Sequence, residues 1–196
     1  MPPLGIEVTY ALIAHPTQAM RRIRSTGAVG TSVMMLVAGS ISLAVSYLFI
    51  TTASTGPKGV VVVALFTSLT IATVIVLWLL LGGLTHASAC LMGGYGHFGK
   101  FLSAYGVAAA PFTLCVPAIL LLSLLGSVGM LLFVVPVLPI LLLWWWVLTI
   151  TGIKEMYGLS AGTATVASLL PYVLMIAVLV LVNITSLFLL GLQWGF

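Results

Sequence analysis

Two short runs in this chain have the spacing of chemical motifs. Gly158-Leu159-Ser160-Ala161-Gly162 has the G-x-S-x-G form of a nucleophile elbow, where a strained turn lifts a serine hydroxyl toward a general base. Gly94-Tyr95-Gly96-His97-Phe98-Gly99 has the G-x-G-x-x-G form that cradles a pyrophosphate between a strand and a helix. Neither brings its supporting residues. An elbow needs a base and an orienting acid. The chain has no Asp, its two acids are Glu7 and Glu155, and none of its three histidines (His15, His86, His97) is tied to Ser160 by spacing. Ser160 is expected to cap the helix that follows it, with a Ser–His dyad hydrolase as the competing reading. The glycine run joins two apolar stretches, and no acid follows about 20 positions on. It reads as an interfacial turn carrying Tyr95 and His97.

The remaining candidates are single residues. His86 is the ionisable side chain expected within membrane depth, near one end of an apolar run, and such groups are functional hypotheses by default. Asn183 reads as polar glue between helices or as a substrate contact. Cys90 and Cys115 fall in or beside different apolar runs and read as packing residues rather than a disulfide or metal pair. No cluster has metal-ligand spacing, so no metal and no cofactor are expected. A basic face for nucleic acid is missing beyond three arginines. No acid lies inside an apolar run, which gives ion-coupled transport little support.

Composition says what must position these residues. The chain is 62% hydrophobic and 4% charged, with a net charge of +4, where a soluble domain carries about 25% charged residues. Its solvent is lipid. A spanning helix takes about 20 apolar residues, and five runs qualify: Val29–Thr52, Val60–Met92, Phe101–Ser123, Val128–Gly152 and Ala164–Leu190. These runs do not alternate as barrel strands do. The first run exceeds the about 7–15 residues of a cleaved signal's core, so a retained signal-anchor is expected. The second is long enough, at about 50 Å, that it must tilt, protrude or break, with Gly82-Gly83 the place for a bend. His86, Ser88 and Cys90 would then lie near the interface.

Charge sets orientation. Arg21, Arg22 and Arg24 precede the first run, Lys100 follows the second and Lys154 the fourth, leaving Lys58 on the other side. The positive-inside rule then puts the N-terminus in the cytoplasm and the C-terminus outside. Residues 1–28 form a cytoplasmic segment and 29–196 the membrane domain. Within the first segment Gln18, Arg21, Arg22 and Ser25 recur on one helical face, with Ala19, Met20 and Ile23 on the other. Pro16 suits a first turn. This predicts a basic amphipathic helix on the cytoplasmic leaflet, drawn to anionic lipids, or arginines acting as a topology anchor.

Pro111, Pro117, Pro136, Pro139 and Pro171 lie inside the apolar runs and predict kinks in the third and fourth spans. Small residues form stripes at Ala38, Ser42 and Ser46, and at Ser103, Gly106 and Ala110. These let helices approach closely, within one chain or across a homo-oligomer seam. Trp144, Trp145 and Trp146 read as a cytoplasmic aromatic belt, or else an aromatic ligand cage.

The order of these parts resembles the Yip1-domain family of five-span membrane proteins. The resemblance rests on His15-Pro16 with Arg21-Arg22-Ile23-Arg24, and on Gly93-Gly94-Tyr95-Gly96-His97-Phe98 leading into Phe101-Leu102-Ser103-Ala104-Tyr105-Gly106 and Pro111. It continues at Trp146 and at Gly152-Ile153-Lys154-Glu155-Met156-Tyr157-Gly158-Leu159-Ser160, running into Ala164. It implies a five-helix bundle, an N-terminus in the cytoplasm, and Tyr105, Pro111 and Tyr157 as motif positions. Eukaryotic members are associated with Rab GTPases and early secretory traffic, and carry a long soluble N-terminal region and an Asp-Leu-x-Gly-Pro-like stretch. This chain has neither and looks like the short prokaryotic branch, so Rab binding is not carried over. The expected fold is an all-α, five-transmembrane-helix bundle with an interfacial N-terminal helix. The expected role is non-enzymatic membrane organisation or protein and lipid interaction, in a cell membrane, with the bilayer and its anionic lipids as partners. A small oligomeric transporter or channel is the alternative.

Overall fold

The computed structural model describes residues 10–12, 14–27, 29–55 and 59–193. Glu7 and Lys58 lie outside the described residues. Helices account for nearly all of the rest: α1 (Pro16–Thr26), α2 (Val29–Thr55), α3 (Val60–Leu91), α4 (Phe98–Val107), α5 (Cys115–Ser123), α6 (Gly126–Leu132), α7 (Leu138–Tyr157) and α8 (Ala161–Gln193). Among them, five stretches are long and apolar enough to cross a membrane: Val29–Thr51, Val61–Leu91, Phe98–Ser123, Gly126–Tyr157 and Ala161–Leu181. These are the five expected spans, shifted by a few residues at their ends. Lipid leaves a backbone no alternative to internal hydrogen bonding, so long apolar runs become helices whatever their local propensity.

The third and fourth spans are interrupted at their prolines, as expected. Pro111 sits in a 3-10 turn, Ala110–Leu114, between α4 and α5. Pro136 sits in a π-helical stretch, Phe133–Val137, ahead of α7. Pro117 has no N–H, so the Thr113 carbonyl loses its helical donor. Ser42 of α2 repairs the defect: its Oγ–H donates to Thr113 O at 3.2 Å, and its oxygen accepts the Val116 N–H at 2.9 Å. Of the tilt, protrusion or break expected of the second span, a break is not what the structure shows. α3 is helical without interruption through Gly82-Gly83. Gly82 marks a close approach instead, since a methyl group there would lie 2.8 Å from Leu102 Cδ1 on α4.

The second small-residue stripe is taken up inside the chain. Ser103, Gly106 and Ala110 are all buried, and Gly106 faces α2 so closely that an added Cβ would lie 2.8 Å from Ser32 Cβ. Ser32 Oγ–H donates to Ser103 O at 2.5 Å across the same contact. Helices in lipid gain little from hydrophobicity when they associate, so this close backbone packing and its hydrogen bonds carry much of the pairing. None of the side chains in the most apolar window of α3 is buried, which puts that helix at the periphery. Two clusters of buried residues result. One, around Phe101, Leu148, Ile153 and Met156, includes residues of α1; the other gathers Cys115, Ile119, Phe133 and Leu141.

Candidate functional site at the basic end

α1 is amphipathic, as its periodicity predicts. Pro16 opens it, and Gly27 closes it in the left-handed conformation (φ 62°), its N–H bonding to Ile23 O. The apolar face does not remain free for lipid. Ala19, Met20 and Ile23 are buried against α7 and α4. The arginines clamp the helix in place. Arg21 Nε donates to Glu155 Oε2 at 2.8 Å, and Arg24 Nη1 donates to the Glu155 carbonyl at 2.8 Å. The Glu155 side chain is only 10% exposed and that of Arg21 is 69% exposed. The hydrogen bond it donates to the carboxylate, then the carboxylate's charge, holds the Arg21 guanidinium above its ordinary value. Glu155 is thereby neutralised by Arg21, while Arg22, Arg24, Lys100 and Lys154 remain exposed cations at this end. Glu155 was not among the expected site residues. The signal was available: one of two acids in the chain, set among six basic residues.

The glycine turn packs on Tyr157. A methyl group at Gly94 would lie 2.8 Å from Tyr157 Cβ and 2.9 Å from Ala89 O, and one at Gly96 would lie 2.7 Å from Tyr157 Cδ1. The Tyr95 N–H bonds to Tyr157 O at 3.3 Å, and its ring points outward at 90% exposure. Glycines are needed here for close approach to a ring and a carbonyl, which is a different reason from cradling a phosphate. Tyr157 in turn holds His86: its hydroxyl hydrogen-bonds His86 Nδ1, and the two rings tilt together at 5.6 Å, with Phe98 on the other side at 5.2 Å. Cys90 is exposed, one helical turn on, with Sγ at 3.8 Å from His86 Nε2. The fold thus brings His86, Tyr95, His97, Tyr157 and Arg24 to one end of the bundle, on four different elements.

Other expected site residues sit elsewhere. Ser160 accepts the Thr163 N–H at 3.2 Å and bonds the Thr163 hydroxyl at 2.9 Å, which is a helix cap for α8. Both of these bonds are to Thr163 and neither is to a histidine. Tyr105 is buried, stacked on Phe101, with its hydroxyl 3.4 Å from that of Tyr172. Pro111 is fully buried. Trp144, Trp145 and Trp146 are half-buried and face neighbouring helices. Trp145 meets Tyr105 and Phe112, and Trp146 Nε1 donates to Ser168 Oγ at 3.1 Å. Asn183 is exposed and donates to Leu179 O of its own helix at 2.7 Å, so it bonds along α8 rather than across to another helix. Among the described residues no group of three or more His, Cys, Asp or Glu could hold a metal ion.

Among the described residues, cavities open within the spans, and two of them are lined by span residues alone. One, of about 150 Å³, is lined by residues including Leu36, Leu43, Trp78, Tyr105 and Trp145. The other, of about 280 Å³, is lined by residues including Leu43, Ser46, Phe66 and Phe133. Both walls are mostly apolar, with Ser40, Trp78, Tyr105 and Trp145 the polar-bearing side chains of the first and Ser46, Tyr47 and Thr70 those of the second. Trp78 Nε1 and Ser46 Oγ are buried and have no hydrogen-bond partner. No sequence pattern distinguishes these two from any other tryptophan or serine of a membrane helix.

No curated protein and no solved structure matches this chain. A family model described as the Yip1 domain matches residues 10–182. That interval runs from the residues preceding α1 to within α8 and takes in the clamp, the glycine turn and every span. The chain is a member of the Yip1 domain family.

Proposed function

We propose that this protein is a non-enzymatic membrane organiser that engages anionic lipid through its basic end, with that end and the N-terminus in the cytoplasm of a prokaryotic-type cell. The observation that carries the reading is the clamp on α1. With its apolar face buried and Arg21 fixed on Glu155, the helix is held to the bundle and its remaining basic face is left exposed, which supports engagement with a leaflet at that end. Anionic headgroups attract such cations by about 1 kcal/mol each near the surface. The transporter alternative has weaker support, because the linings of these two cavities are mostly apolar and hold no charged side chain.

The test is lipid retention. The full-length protein is extracted from bilayers of mixed phosphatidylglycerol and phosphatidylcholine, and the retained lipid is measured by mass spectrometry. Enrichment of phosphatidylglycerol is expected, falling about fivefold for each arginine removed. Arg22→Gln is the clean variant, since its exposed side chain is not part of the Glu155 clamp. Equal retention of the two lipids, or an Arg22→Gln protein indistinguishable from wild type, refutes the reading. Solute flux into proteoliposomes, lost in His86→Ala, would favour the transporter instead.

A further inference from the structure

A recess of about 140 Å³ opens between the last turn of α1, the glycine turn and the start of α4. Its walls are Arg24, Tyr95, Gly96, His97, Lys100 and Met156. The residues come from three separate stretches of chain and share one property: apart from Gly96 and Met156, each offers a cation or a hydrogen-bond donor. Among the described residues no carboxylate lines it. The nearest acid in sequence to its lining, Glu155, has its carboxylate engaged by Arg21 outside the recess, and Arg24 binds only the Glu155 backbone carbonyl. A guanidinium has five N–H donors, so Arg24 keeps most of them while one anchors it. Among the described residues, the charge facing the recess is therefore uncompensated by any carboxylate.

The geometry points to a binding site for a phosphate-bearing anion in this recess. Arginine meets phosphate through a planar fork of donors and lysine as a point charge, and both occur here. The volume is about ten times what one water molecule needs. The amide N–H groups of the first turn of α4 have no intrahelical acceptor, and no side chain caps them. They add a favourable partial charge beside Lys100. Free phosphate and the phosphate of a lipid headgroup share this chemistry. The inference rests on the proposed reading only in placing the recess at a leaflet; its chemistry stands on the lining residues.

The experiment measures binding of dihexanoyl phosphatidic acid, the matching phosphatidylcholine and inorganic phosphate to the detergent-solubilised full-length protein. Native mass spectrometry serves for the lipids and competition for phosphate. The variants are Lys100→Gln, His97→Gln and both together, with Arg22→Gln as a cation outside the recess. Phosphatidic acid should bind in preference to phosphatidylcholine, and the double variant should lose at least about tenfold. Competition by inorganic phosphate identifies a site for the free anion. Its absence identifies a headgroup site, and both results support the proposal. Since Lys100 and His97 are exposed, their variants should keep the wild-type melting temperature, and Lys100→Gln alone suffices if the double variant does not. Unchanged phosphatidic acid binding in the folded variants overturns the site. If Arg22→Gln then still lowers phosphatidylglycerol retention, the lipid-engaging face survives without the recess. If only the recess variants matter, the recess stands and the broader face falls.

Discussion

A methyl group at Gly96 has nowhere to go, because Tyr157 Cδ1 and Cε1 already lie within 2.8 Å of where it would sit and Met156 O is at 3.0 Å. Overpacking of this kind costs about 1–3 kcal/mol. Gly96→Ala should lower the melting temperature in detergent, while Gly99→Ala, with open space around it, should be far milder. Identical melting of the two would contradict the packing assigned to the turn. The motif read in that glycine run was therefore legible as a constraint on the backbone but not as its cause. Spacing alone cannot tell a ring at van der Waals distance from a bound phosphate. Ser160 teaches the same point. The G-x-S-x-G form is present, yet its hydroxyl is used on Thr163, so Ser160→Ala should cost about 1 kcal/mol of stability as a lost helix cap. A Ser160→Ala protein with unchanged thermal unfolding would show that the cap contributes nothing.

The docking of α1 on α7 depends on two kinds of contact that can be separated. Met20 is wholly buried beneath the helix, and Met20→Ala should cost about 2–5 kcal/mol. If that loss falls on docking rather than on the whole bundle, trypsin will cut after Arg21, Arg22 or Arg24 faster while the spans stay intact. Glu155→Gln removes the acceptor charge and should produce the same pattern more weakly. A group held above its ordinary value contributes in full below that value and loses its contribution only as pH rises through the higher one. For Arg21 that window lies far above neutrality, so its side of the clamp adds no pH dependence in the physiological range. Within the third span, Ser42→Ala would leave Thr113 O and the Val116 N–H unpaired, each at about 1–3 kcal/mol. A change below about 0.5 kcal/mol would mean that water or a shifted backbone replaces the serine. The amphipathic period made α1 legible, and the prolines made the broken spans legible. What neither revealed was the partner, since periodicity reports that a face is apolar and not what covers it. At Gly82-Gly83 the helix stays unbroken, since lipid around α3 keeps the backbone helical, and the close approach of α4 to Gly82 was a use of glycine that the sequence did not announce.

Across the whole molecule, five crossings and a handful of charges have to agree. The count of spans was readable because a chain this apolar has few other solutions, and the basic residues of the described chain meet at one end through the contacts of Arg21, Arg24 and Lys100. The interior was less legible: Trp78 and Ser46, whose polar atoms have no partner, look in sequence like ordinary residues of an apolar helix. Orientation is the claim on which the lipid-engaging role stands, because anionic lipid attracts the basic end only in the leaflet that carries it. Thiol labelling tests it most directly. Cys90 is exposed at the basic end, Cys115 is buried, and Gly59 is exposed at the opposite end. A membrane-impermeant maleimide applied to intact cells should spare Cys90 and label Gly59→Cys in a Cys90→Ser background, with the pattern reversed in inverted vesicles. Labelling of Cys90 from outside intact cells, or of both positions from the same side, would contradict the account.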